Sequence, residues 1–314
     1  MRNFGLFYPS TKTRPAKTVF NKMMHLEMRS CHFHLLVWAI LAVTSSGFIF
    51  QQNLFYAQRT TALCSSVPSD VSSSTNSRSL GELKDELVQT CARSTKPMLE
   101  EVRTIVRELE EKAELVGEGQ ASSVSGLLDG EWELLYSPED ITRSSPFFWA
   151  FRKAFPDQSD EIFAITDAIP APIKEVGPAL QTIELNEGLQ TGTFVSRVKV
   201  ATLGGLATSM MTTRADIVGV EGIDGIKLGI KTTKPEDSTI VKTLLGPLAD
   251  TVNEVLPPFP SGEALEQVQP GSSQVVMRTT FCDEGLRISR NDDRFDDVYV
   301  WKRNGFASAS TGTI

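Results

Sequence analysis

A chain of 314 residues, 40% of them hydrophobic and 22% charged, has room for one large globular domain or two small ones. Residues 1–60 hold seven basic residues (Arg2, Lys12, Arg14, Lys17, Lys22, Arg29, Arg59) and one acid, Glu27; taken from 31 basic and 39 acidic residues, these leave 24 and 38, a net of −14 beyond position 60. So acidic a body has no general electrostatic attraction to nucleic acid.

The N-terminal stretch reads as a targeting segment. Leu35–Val43 (LLVWAILAV) is densely apolar but, at nine residues, matches a signal-peptide core and falls short of the roughly 20 a membrane span needs. Small residues follow at Ser45, Ser46 and Gly47. From Phe48 to Ser79 there are eleven Ser or Thr, two Arg and a single acid, Asp70, the composition of an organelle transit peptide. A signal peptide to about residue 47 followed by a transit-like segment over 48–79 resembles the bipartite presequence of proteins sent to complex plastids. A plain secretory signal with a linker is the alternative, and a membrane anchor a third. The three histidines, His25, His32 and His34, all lie within this segment. Once it is removed, Ser-His-Asp and Cys-His catalysis and histidine-ligated metal sites are excluded. Cys91 and Cys282 are the cysteines that remain, too far apart for a CxxC motif.

The body, 80–303, opens with helical periodicity. Leu80, Leu83, Leu87 and Cys91 form one stripe; Met98, Val102, Ile105, Val106 and Leu109 form another after Pro97. Together these predict a helical hairpin ending at Gly117 and Gly119. Eight strands are predicted beyond Leu128, at roughly 131–137, 178–187, 191–201, 209–220, 225–233, 274–282, 285–290 and 296–303. Alternation is clearest where Phe194 and Val198 oppose Arg197 and Lys199. Asn186-Glu187-Gly188, Gly222–Gly225 and Asp283-Glu284-Gly285 are hairpin-turn strings. Eight antiparallel strands at this spacing favour a closed or nearly closed barrel, wide enough inside for side chains or one small ligand.

Two insertions interrupt the strands. SSPFFWAFRKAF places Phe147, Phe151 and Phe155 at i, i+4 and i+8 with Phe148 beside them. This predicts a helix packed on the barrel, or an aromatic lid in contact with lipid. Ser238–Gly262 carries Ile240, Val241, Leu244, Leu245, Leu248, Val252 and Val255 at helical spacing, with LPPFPSG at its end; it reads as core or as a plug at the barrel mouth. Residues 304–314 are small and polar and are expected to be a disordered tail.

LLDGEWELLYS (127–137), SSPFFWAFRKAF (144–155), VGPALQTIEL (176–185), FPSG (259–262) and TTFCDEGLRISRNDD (279–293) occur in the order found in the plastid lipid-associated proteins, or plastid fibrillins. The chain resembles that family over roughly 80–303. The resemblance implies a lipocalin-like barrel, association with plastoglobules or thylakoids, and a non-catalytic role with lipids or hydrophobic metabolites. Gly130-Glu131-Trp132 is the Gly-x-Trp that lipocalins carry on their first strand, where an arginine from a late strand stacks on the indole. Arg287 or Arg290 is the candidate for that arginine, and Trp132 alone as a core aromatic is the simpler reading. The family's last motif has Gly where this chain has Asn291, a residue that tolerates a left-handed turn. Asp292 matches the motif's terminal aspartate and is a ligand-binding candidate. The acids Asp292, Asp293, Asp296 and Asp297 lack the spacing and central Gly of a calcium loop, and no metal site is expected.

The expected architecture is therefore mainly β with helices: a lipocalin-like antiparallel barrel of about eight strands, an N-terminal helical hairpin and two helical insertions. Three functions follow. A binding module would hold an isoprenoid, quinone, carotenoid or acyl lipid in an apolar cavity. A scaffold of plastid lipid bodies, or an accessory partner of an isoprenoid or quinone-synthesis enzyme, would fill its barrel with its own side chains. An enzyme would need a group that the sequence does not display.

Overall fold

In the structure, a computed structural model, the residues described are 78–304 apart from 121, 171–172, 187, 189, 203–204, 240–241, 244–245 and 247–256. Of the expected targeting segment, 1–79, all but Arg78 and Ser79 lies outside the described residues, as do the expected tail beyond 304 and the apolar positions named in the second insertion.

The helical hairpin comprises α1 (Leu80–Cys91) and α2 (Leu99–Val116). Ser79 starts α1 with a capping box: its hydroxyl accepts from the Glu82 amide and the Glu82 carboxylate accepts from the Ser79 amide, satisfying two donors that a helix start leaves open. Leu83, Leu87, Val102, Ile105, Val106 and Leu109 are buried, as their periodicity predicts. Met98 departs from the stripe: it is the N-cap of α2 and 75% exposed. The chain leaves α2 through Gly117 and Gly119, both at positive φ. At Gly119 a Cβ would lie 2.3 Å from the Phe281 ring, so only glycine lets this loop press against the sheet. A short helix, α3 (Ser122–Ser125), follows.

Eight strands form one antiparallel sheet in chain order: β1 (Gly130–Tyr136), β2 (Lys174–Leu185), β3 (Gly192–Thr202), β4 (Ala207–Glu221), β5 (Gly225–Glu236), β6 (Gln274–Cys282), β7 (Leu286–Asn291) and β8 (Arg294–Arg303). β8 pairs back onto β1, Trp132 opposite Arg303 and Leu134 opposite Trp301, so the sheet closes on itself. Between β1 and β2 lie a 3-10 turn, η1 (Ile141–Ser144), and the helices α4 (Pro146–Ala154) and α5 (Ser159–Asp167). A last helix, α6 (Ser261–Val268), precedes β6.

The hairpin covers the outer face of β7 and β8, where Leu286, Ile288, Val298 and Val300 join its leucines and valines in one apolar cluster. All six residues of β7 are buried as a result. Leu286 and Ile288 lie under the hairpin, and Arg287 and Ser289 face the enclosed interior.

The expected lipocalin-like barrel with two helical insertions requires correction. A lipocalin is a cup that holds a ligand; here the enclosed side of the sheet is occupied by the chain's own Trp132, Arg287, Tyr299 and Trp301, each 0% exposed, and η1, α4 and α6 sit against one end. The first insertion contains the packed helix expected from SSPFFWAFRKAF, α4, with η1 before it and a second helix, α5, after it. The FPSG string begins a helix, α6, where the sequence predicted one to end. Alternation identifies which side chains share a face, but it cannot show that a polar face is enclosed. Asn291 is a second correction. It is the last residue of β7, and its side chain accepts from the Asp293 amide; Asp237 is the only non-glycine at positive φ among the described residues.

Candidate functional site

The five strings that carry the family resemblance meet inside the closed sheet. Trp132 on β1 is paired in register with Gln181 on β2, Gln181 with Ser196 on β3, and Ser196 with Thr213 on β4. Residues directly opposite in an antiparallel sheet share a face, so these side chains form one inward layer. Arg287 enters from β7. Its guanidinium lies 5.0 Å from the Trp132 ring centre and 4.8 Å from that of Trp301, between two electron-rich faces that attract a cation. Nη2 donates to Gln181 Oε1, and Gln181 Nε2 donates onward to the Ser144 carbonyl at 3.1 Å. The stack therefore connects through one glutamine to η1.

The connection continues through hydroxyls. Ser145 donates to Thr213 at 3.3 Å, Thr213 lies 3.5 Å from Thr233, and Thr233 is 3.0 Å from Ser261, the first residue of α6. Gly262 lets α6 approach: a Cβ there would fall 1.9 Å from the Ile230 carbonyl oxygen. Trp149 on α4 donates to the Arg143 carbonyl at 2.7 Å and packs 5.7 Å from Tyr299. SSPFF, VGPALQ, FPSG and LRISR thus fasten η1, α4 and α6 to the end of the sheet, while GEW supplies the floor of the stack.

Solvent is excluded from this network. Burial pushes the Arg287 guanidinium down to about 9. Its Nε and Nη1, with Ser196 Oγ and Thr279 Oγ1, are sealed and make no hydrogen bond. The charge is met by two indole faces and one amide oxygen, with no carboxylate among its described hydrogen-bond and ring partners. Such an arrangement orders side chains and holds a plug in place. It presents no nucleophile or general base to a substrate, and burial pushes the adjacent Cys282 thiol up to about 12, where it stays protonated and unreactive.

Of the residues singled out from sequence, the structure brings Trp132 and Arg287 together and separates the others from them. Arg290 faces outward, pairs with Glu110 at 2.9 Å and lies 4.9 Å from the Phe295 ring centre. Asp292 receives Arg278 Nε at 2.7 Å at the β7–β8 turn, where Arg278 also holds Asp224 and Glu221. Phe147 and Phe151 are buried, 5% and 7% exposed. Phe151 and half-buried Phe148 pack against Phe163 of α5, on which Arg143 and Arg152 stack, and Phe147 packs against Phe148 and Phe151. Sequence reasoning missed Arg303, which covers Trp132 from the other side at 4.2 Å. It also missed Gln181 and Trp301; their positions opposite or beside Trp132 follow only from register. Among the described residues no group of three or more His, Cys, Asp or Glu is placed to hold a metal ion.

A family model, PAP_fibrillin, matches residues 77–300. The chain belongs to the PAP_fibrillin family, the plastid lipid-associated proteins or fibrillins. Members are non-catalytic, lipid-associated and typically found with plastids, and this chain is not an enzyme. No curated protein and no solved structure matched the chain.

Proposed function

We propose that this chain is a peripheral, non-catalytic protein of plastid lipid surfaces, plastoglobules or thylakoids, that meets lipid with one end of its closed sheet. The observation that carries this reading is the placement of exposed apolar side chains. Leu206 in the β3–β4 turn is 82% exposed, Ile173 before β2 is 41% exposed, and Ile165 on α5 is 61% exposed. Lys174 pairs in register with Thr202, and Thr202 with Ala207, so Ile173 and Leu206 flank one rim. Thr239 donates to the Leu206 carbonyl at 3.3 Å, so it lies at the same rim. With a net of −14 beyond residue 60, attraction to an anionic bilayer is weak, and apolar burial must supply the affinity.

An isoprenoid, quinone, carotenoid or acyl lipid is then gathered at this rim, because the Trp132–Arg287–Trp301 half of the interior is already filled. That filling also supports the second reading, a scaffold of lipid bodies or an accessory partner of an isoprenoid or quinone-synthesis enzyme. In this account residues 1–79 are a presequence and 80–303 the working domain, so the mature N-terminus falls between Phe48 and Leu80. Flotation with lipid droplets tests the rim. Ile173→Asp with Leu206→Asp should reduce the floated fraction at least about tenfold, since each apolar side chain contributes roughly 1.5–3 kcal/mol when buried, with melting unchanged. Undiminished flotation refutes the assignment.

A further inference from the structure

The opposite end of the sheet carries a second apolar surface with a different electrostatic setting. β4 runs from the lipid rim at Ala207 to Glu221, beside the β4–β5 turn. At that turn Ile223 is 61% exposed, and Val124 of α3 is 51% exposed. α3 is held against the turn: the Ser123 amide donates to the Ile223 carbonyl at 3.1 Å, and its hydroxyl to the Gly222 carbonyl at 3.2 Å. Leu115 and Val116, 82% and 54% exposed, end α2. A half-open groove of about 270 Å³ separates α2 from the turn, with Glu111, Glu114, Gln120, Ile223 and Thr280 among its walls. Contiguous exposed apolar groups rimmed by polar ones mark interaction surfaces.

Charge identifies the occupant. The C-terminal end of a helix carries the negative pole of its dipole and is normally matched with Lys, Arg or His. The last turn of α2 has no basic residue and carries Glu114; Glu111 lies just before it, beside Lys112. On the groove wall Glu110 is answered by Arg290 and Asp224 by Arg278; what remains is one cation, Arg107, against two acids, Glu111 and Glu114, so the wall keeps an excess of negative charge. An acid at a helix C-terminus opposes folding locally, and a local rule broken in this way points to function.

We infer that this groove receives a basic, amphipathic helical segment of a partner protein. Its cations meet Glu111, Glu114 and the carbonyl end of α2, and its apolar residues cover Leu115, Val116, Val124 and Ile223. The surface is distinct from the lipid rim, at the other end of β4. The inference does not depend on the lipid reading.

The test uses the full chain and a synthetic Lys/Leu amphipathic helix of about 18 residues, with a same-composition scramble as control. Titration should show binding of the amphipathic peptide at least tenfold tighter than the scramble. Leu115→Ser with Ile223→Ser should weaken binding at least tenfold, and Glu111→Gln with Glu114→Gln should weaken it severalfold and flatten its salt dependence. All four positions are exposed, so melting should be unchanged. Equal binding of the scramble, or unaltered binding by the Leu115/Ile223 variant, overturns the proposal. So does a light-scattering result in which that variant dissociates a dimer of the chain, which would make a second copy the occupant. Loss of vesicle flotation in the same variant would make the surface a lipid contact, with the same consequence.

Discussion

Replacing Arg287 separates the role of its charge from the role of its volume. Arg287→Met keeps a long flexible side chain between the indoles of Trp132 and Trp301 and removes a cation buried without a carboxylate partner. Removing such a buried charge is worth about 1–4 kcal/mol to the fold. Against this stand two lost cation–π contacts, about 0.5–2 kcal/mol each, and an unanswered Gln181 oxygen, about 1–3 kcal/mol. The losses exceed the gain by about 2 kcal/mol at their midpoints, so the methionine variant should be about 2 kcal/mol less stable than the parent. Arg287→Ala leaves the space empty and should cost a further 2–5 kcal/mol or so, a difference of roughly 4–20 °C in melting temperature for a domain this size. Urea titration followed by tryptophan fluorescence reads both variants. The pH dependence has a defined sign. The unfolded arginine holds its proton above pH 12, and the native one, pushed down by burial, releases it near 9. Between those values the unfolded state binds more protons, so native stability rises with pH relative to the methionine variant. A methionine variant as unstable as the alanine one would show that the guanidinium itself is required, and would refute the packing account.

Trp132→Ala, which opens the space between Arg287 and Arg303 and strands the Leu128 carbonyl that its indole now meets at 2.9 Å, should cost about 3–5 kcal/mol in urea melts. Phe151→Asp should unfold the domain, because the ring is 7% exposed between Phe155 and Phe163; a folded variant that merely lost lipid flotation would return this helix to the role of lid. Asp140 opens η1 by accepting from Thr142 and Lys174. Burial opposes its ionisation, but these partners outweigh it and hold its carboxyl below the usual value. Its stabilising contribution is therefore full above the ordinary aspartate value of about 4 and fades as pH falls through the lower native one, so Asp140→Asn should flatten acid unfolding measured by circular dichroism below about pH 4.

The strands were legible because period two survives in them: Phe194 and Val198 point inward, and Arg197 and Lys199 do not. The hairpin was legible for the corresponding reason at a period of 3.6. The interior was not. Arg287, Ser289 and Gln181 are polar, and a polar position in an alternating strand reads as solvent-facing until closure of the sheet encloses it. Arg287 and Arg290 looked equivalent from sequence, three residues apart. Alternation puts them on opposite faces of β7, and the hairpin laid over Leu286 and Ile288 decides which face is the enclosed one, a tertiary fact. Phe148 and Phe151 likewise owe their burial to Phe163, which lies beyond the helix that displays them.

On the proposed function, lipid meets the rim at Ile165, Ile173 and Leu206, while the interior stack stays closed. Hydrogen exchange of the full chain with and without phosphatidylcholine vesicles tests it most directly. Amides around those three residues should exchange more slowly with vesicles present, and those of Leu286–Asn291 and Gln181 should be unchanged. Altered exchange in β7 and β2 with none at the rim would place lipid inside the sheet and contradict the account.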